Sequence, residues 1–179
     1  TDSEAATVIE SIDKLRNASI DPKWVPALAD AASYISRLAA LPSSTRVLVN
    51  WLAEADVPMA VRENYAWPVY RSKLEQMLHD PTFPDKQRLQ RVIDRGNALW
   101  TNYENGTPRA RRLADLIEEH TRATERCCVA FTRPTARRLA ERYFETYDGY
   151  PDGAGFEVLR DSVRFVVSRD LDTEAALSP

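Results

Sequence analysis

From Trp24 to Tyr103 the apolar side chains recur mostly at helical spacing. Trp24, Leu28, Ala31, Ile35 and Leu38 fall three or four residues apart, which makes one stripe of a helix turned toward a core. Asp21 supplies a capping carboxylate ahead of Pro22 at the first helical position, and Pro42 ends the stripe. Ser43 or Ser44 caps the next helix, whose inward positions are Val47, Leu48, Trp51 and Leu52. The stretch "NYAWPVY" interrupts the period and leaves Trp67 in a loop; Val69 to Leu78 resumes it. From Pro84 to about Tyr103, the residues Leu89, Val92, Ile93, Trp100 and Tyr103 mark a longer helix, and "NGTP" at 105–108 provides its stop and the next start. Residues 1–107 therefore read as a helical domain.

Beyond it the period changes. Leu113, Leu116 and Ile117 form one helical face, Cys127 to Phe131 is a short apolar run with polar bounds, and Leu139, Ala140, Tyr143 and Phe144 form another helical face. A lone strand leaves backbone N–H and C=O groups without partners, so Cys127 to Phe131 requires a second strand, and "VRFVVS" at 163–168 is the strong candidate. A helix connects the two, which predicts parallel, right-handed pairing. The expected fold class is mostly α with a small α/β part: a helical bundle followed, over residues 108–179, by a partial parallel sheet. No strand of four residues or more is expected in residues 1–105.

Net charge adds a feature that the apolar pattern hides. The chain carries −3 in all, but residues 108–142 hold 9 basic against 5 acidic side chains, and every one of those bases is arginine. The flanking segments are acidic. A planar guanidinium donates two hydrogen bonds at once to a phosphate, so Arg109, Arg112, Arg133, Arg137 and Arg138 are candidate phosphate partners. The plainer reading is a solvated helix face, or pairing with Glu118, Glu119 and Glu141 on the same helices.

Several chemistries are excluded or disfavoured. Cys127 and Cys128 are neighbours whose side chains point to opposite faces of a strand, so they predict small core hydrophobes rather than a disulfide. His79 and His120 stand alone, without the ligands of a zinc site or the partners of a catalytic triad. None of the five glycines is followed by lysine, so no phosphate-binding loop of the G-x-x-x-x-G-K-[ST] type exists. No apolar run approaches the roughly 18 residues that span a bilayer, and the first residues are too acidic for a secretory signal, which predicts a cytoplasmic protein without membrane contact. The start at Thr1 and the stop at Pro179, soon after a predicted strand, predict an excerpt of something larger.

The stretch "RRLADLIEEHTRATERCCVAFTRPTARRLAERY" resembles the opening of the second RecA-like domain of superfamily 2 helicases. The matching residues are Val129, Ala130 and Phe131 in the strand, Thr132 and Arg133 at its carboxyl end, and Ala136, Leu139 and Ala140 in the following helix. The resemblance covers residues 108 to about 172. It implies that Thr132 and Arg133 touch the backbone of a bound single-stranded or duplex nucleic acid, with Arg137, Arg138, Arg109 and Arg112 behind them. The physical chemistry of that place agrees, because ligands of parallel sheets gather beyond the strands' carboxyl ends, where helix amino termini present free N–H groups. Trp67 is a further, weaker candidate, as a base-stacking platform. The departures from the family are equally specific: no Walker A loop, no D-E-x-[DH] box and no arginine-finger motif. This chain is therefore expected to hold no cofactor and to carry out no catalysis, with ATP and Mg belonging to a longer parent. The acids of "DLD" at 170–172 read as a solvated loop. The competing expectation is a helical adaptor that binds a protein partner and no nucleic acid.

Overall fold

The computed structural model describes residues 2–18, 21–123, 126–147 and 161–170. Eight α-helices and a two-stranded parallel sheet occur among them. Helix α1 (Ser3–Asn17) packs on α2 (Val25–Ala39) and α6 (Lys86–Asn102), and α5 (Trp67–His79) packs on both α2 and α6. Helix α3 (Thr45–Leu52) contacts the short α4 (Met59–Tyr65) and, at long range, α8 (Pro134–Thr146). Helix α7 (Pro108–Arg122) leads into β1 (Cys127–Phe131); α8 follows, and β2 (Val163–Val167) closes the order before a 3-10 turn at Ser168–Asp170.

The expected Asp21 and Ser44 caps form, Asp21 at the head of a 3-10 turn and not of α2 itself, and Asp85 adds a cap that was not expected. Asp21 caps a short 3-10 turn that runs into α2, Ser44 accepts from the Val47 N–H at 3.1 Å at the head of α3, and Asp85 accepts from the Arg88 N–H at 3.0 Å at the head of α6. Two helices lie outside that expectation. In α1, Val8, Ile12 and Leu15 are fully buried with Ala5 beside them; α4 is 7 residues long and has no fully buried residue. No strand occurs among the described residues of 1–105, and no helix there or later is long and apolar enough to cross a membrane.

One hydrophobic core runs from Ala5 through Leu28, Ile35, Leu48, Leu74, Leu89 and Leu99 to Leu139, Phe144 and Val163. Burying each such leucine or isoleucine stabilises the fold by about 1.5–3 kcal/mol. Trp67 belongs to this core and not to a loop: it is the first residue of α5, 2% exposed. The proline after it is tolerated because the first-turn N–H groups have no intrahelical partner anyway. Its ring stacks on Tyr34 at 5.6 Å, its Nε1 donates to Asn97 Oδ1 at 2.8 Å, and a Cβ on Gly96 would approach its Cη2 to 2.6 Å. A ring held in this way offers no platform for a base.

The sheet is parallel, as expected. Cys127 pairs with Val163 and Phe131 with Val167, and the Cys127 N–H donates to Ser162 O at 2.7 Å. Helix α8 covers one face, with Phe144 stacked on Phe165 at 5.5 Å. On the other face Cys128 and Ala130 are exposed; Cys127, on the α8 side, is half-buried. The expectation that both cysteines are core residues therefore fails for Cys128, which is exposed although Val166 on the same side of the sheet is buried.

The turn between α6 and α7 ties the helical part to the rest. Gly106 has φ +138, and a Cβ there would lie 2.5 Å from the Tyr143 hydroxyl, which itself donates to Asn105 O at 3.2 Å. Thr107 is fully buried; its hydroxyl donates to Leu41 O and accepts from the Ala110 N–H. Elsewhere, Asp80 joins the end of α5 to the start of α2, accepting from both the N–H and the hydroxyl of Thr82 and from Lys23 Nζ at 3.1 Å. Those donors, Thr82 foremost, hold the Asp80 carboxyl down to about 2, so its contribution is present above the ordinary aspartate range near 4 and is lost only as pH falls through about 2.

Candidate nucleic-acid interface

Strand β1 ends at the buried Phe131 and hands the chain to Thr132 and Arg133, both exposed. Arg133 is the N-cap of α8, with extended backbone and no side-chain cap hydrogen bond; Pro134 follows at the first helical position. Thr132 therefore does not cap the helix. The Ala136 and Arg137 N–H groups both bond to Arg133 O, while the Thr135 N–H finds no partner among the described residues. The positive end of the α8 dipole thus faces outward between a hydroxyl and a guanidinium.

Strand β2 ends beside it. Because Phe131 pairs with Val167, the next residues of the two strands are Thr132 and Ser168, followed by Arg133 and Arg169, and all four are exposed. Ser168 and Arg169 were not among the candidates read from the sequence. Their signal was the strand register, which becomes visible only when the pairing is known. Of the "DLD" acids, Asp170 lies in the 3-10 turn; Leu171 and Asp172 fall outside the described residues.

The candidate arginines divide into two groups. The side chains of Arg109, Arg112 and Arg133 are exposed and form no hydrogen bond or ion pair among the described residues. Those on α8 beyond Arg133 are engaged by acids. Arg137 Nε lies 3.2 Å from Glu141, Arg138 Nη2 lies 3.6 Å from Glu54 and 3.5 Å from Asp56, and both Nη atoms of Arg142 reach the two carboxylate oxygens of Glu54. That fork raises the Arg142 pKa against the opposing effect of burial. Arg62 braces the acidic loop between α3 and α4, residues 53–58, donating to Glu54 O and Val57 O at 2.6 and 3.0 Å.

Arg109 and Arg112 do not sit next to Arg133. The turn that starts α7 rests on Tyr143, ten positions beyond Arg133 along α8, a separation of roughly 15 Å at the helical rise. A nucleic-acid backbone is long enough to touch both places, whereas a single small anion is not. No group of three or more metal-ligating side chains occurs among the described residues. Two open clefts of about 460 and 310 Å³ lie at the start of α1 and beside Tyr143, and neither includes Thr132 or Arg133.

Comparison of the chain with known protein families, curated proteins and solved structures finds no match. Functional meaning therefore has to come from the geometry. An exposed hydroxyl, an unpaired guanidinium and a helix amino terminus at the carboxyl edge of a parallel sheet can bind phosphate oxygens.

Proposed function

We propose that this chain is a non-catalytic, nucleic-acid-associated part of a helicase-like protein, a helical accessory domain followed by the opening β-α-β unit of a second RecA-like domain. Thr132 and Arg133 contact backbone phosphate, and Arg109 and Arg112 extend the contact along the strand. The observation that carries this reading is the exposed Thr132–Arg133 pair at the carboxyl end of the parallel β1–α8–β2 unit, ahead of an uncapped helix. ATP and Mg chemistry belongs to a longer parent, which would also supply strands to a sheet that has two among the described residues.

A second reading is favoured by a different observation. Arg137, Arg138 and Arg142 are paired with Glu141, Glu54 and Asp56, which leaves less positive charge for phosphate and suits a helical adaptor. A salt titration of fluorescent oligonucleotide binding separates the two readings. Each phosphate neutralised on a single strand adds about 0.7 to the slope of log affinity against log salt. The double change Arg133→Ala, Arg137→Ala should flatten that slope by about 0.7 to 1.4, the larger value applying where phosphate draws Arg137 away from Glu141. Affinity at physiological salt should be on the order of 10⁻⁴ to 10⁻⁶ M. Equal slopes for wild type and variant, or no binding at low salt, would support the adaptor.

A further inference from the structure

The three ion pairs between α8 and the acidic loop after α3 differ in kind. Arg142 and Glu54 form a two-pronged, half-buried contact, with side chains 31% and 32% exposed. Arg138 reaches Glu54 and Asp56 through a single Nη2 at 3.6 and 3.5 Å, and its side chain and that of Asp56 are 47% and 63% exposed. Asp56 makes no other hydrogen bond or ion pair among the described residues, although its charge also acts on Arg142 nearby. An exposed, single-pronged pair is worth about 0.2–1 kcal/mol, whereas a forked guanidinium-to-phosphate contact is among the stronger hydrogen-bonded pairs. Arg142 is therefore the fixed tie, and Arg138 the cation that can be exchanged.

Position agrees with strength. Arg138 follows Arg137 by one residue, about 100° round the helix, and so stands between the solvent-facing side of α8 and the side that meets α3. Arg142, four residues further on, shares its side and keeps α8 seated on the loop when Arg138 swings away.

We infer that Asp56 is a built-in competitor for phosphate: it holds Arg138 out of the nucleic-acid interface, and a bound strand must displace it before Arg138 joins Thr132 and Arg133. The inference rests on the phosphate-binding reading proposed above and assigns it a regulatory carboxylate on the opposite part of the fold, 82 residues away in sequence.

The test is a double-mutant cycle on the 179-residue chain with a fluorescent single-stranded oligonucleotide, using wild type, Asp56→Asn, Arg138→Ala and the combination. Asp56→Asn should tighten binding at low salt about two- to fivefold and steepen the salt slope by about 0.7, and both effects should vanish in the Arg138→Ala background. Tightening of equal size in both backgrounds would mean that Asp56 acts only through overall charge, and no change in either would mean that it does not act at all. Either result overturns the inference while leaving the phosphate reading standing. Absence of binding by every variant at low salt overturns that reading and the inference with it. Thermal melts of the four proteins should coincide within about 1 kcal/mol, since the pair is exposed.

Discussion

Phe144→Ala should destabilise the protein by about 3–5 kcal/mol, read as a shift of the urea midpoint. The ring is fully buried. It stacks on Phe165 of β2 at 5.5 Å, and Tyr143 meets it edge-on at 5.3 Å. Its removal takes away the transfer free energy of a phenyl group and leaves a void between α8 and the sheet, where five-residue strands cannot collapse far without losing register. Phe144→Leu keeps much of the volume and should cost clearly less. A cost below about 1 kcal/mol for the alanine variant would mean that α8 does not cover the sheet as described.

Thr107→Val is the second large effect, and it tests the junction and not the sheet. Valine has nearly the shape of threonine but no hydroxyl, so the Leu41 carbonyl loses its donor and the Ala110 N–H loses its cap in a place from which water is excluded. A lost cap costs about 0.5–2 kcal/mol and a stranded buried carbonyl about 1–3, which together predict roughly 2–4 kcal/mol. Thr107→Ser keeps the hydroxyl and should recover most of that loss. If valine and serine behave alike in urea unfolding, the hydroxyl is not what joins α7 to the end of α2.

How much of this was legible in the residues depended on the range of the interaction. Local signals were legible: the stripe from Leu28 to Leu38, the Ser44 cap, and the apolar run at 127–131 with a helix after it. Parallel pairing followed because a helix stands between the strands. Helix α1 carries a local signal of the same kind, since Val8, Ile12 and Leu15 keep helical spacing behind the Asp2 cap. Helix α4 offered less, having 7 residues and no fully buried side chain. Trp67 sits in α5 and not in a loop because the proline after it is favourable near a helix start and does not break the helix.

Electrostatics was the least legible part. Arg137 with Glu141 is a pair four residues apart on one helix, and that spacing can be read directly. Arg142 with Glu54 joins residues 88 apart, and no local rule brings them together. The candidate interface shows the same division. Thr132 and Arg133 were visible as the polar pair after an apolar run, while Ser168 and Arg169 became their neighbours only through the register of two strands.

A residue-resolved titration tests the central proposal most directly. Isotope-labelled protein would be followed by amide resonances as a short single-stranded oligonucleotide is added at low salt. The largest shifts are expected at Thr132, Arg133 and Thr135, with Ser168 next and smaller changes at Arg109 and Arg112 on α7. Shifts centred on the helical bundle, or none at an oligonucleotide concentration of about 1 mM, well above the expected dissociation constant, would contradict the assignment of phosphate binding to the carboxyl end of β1.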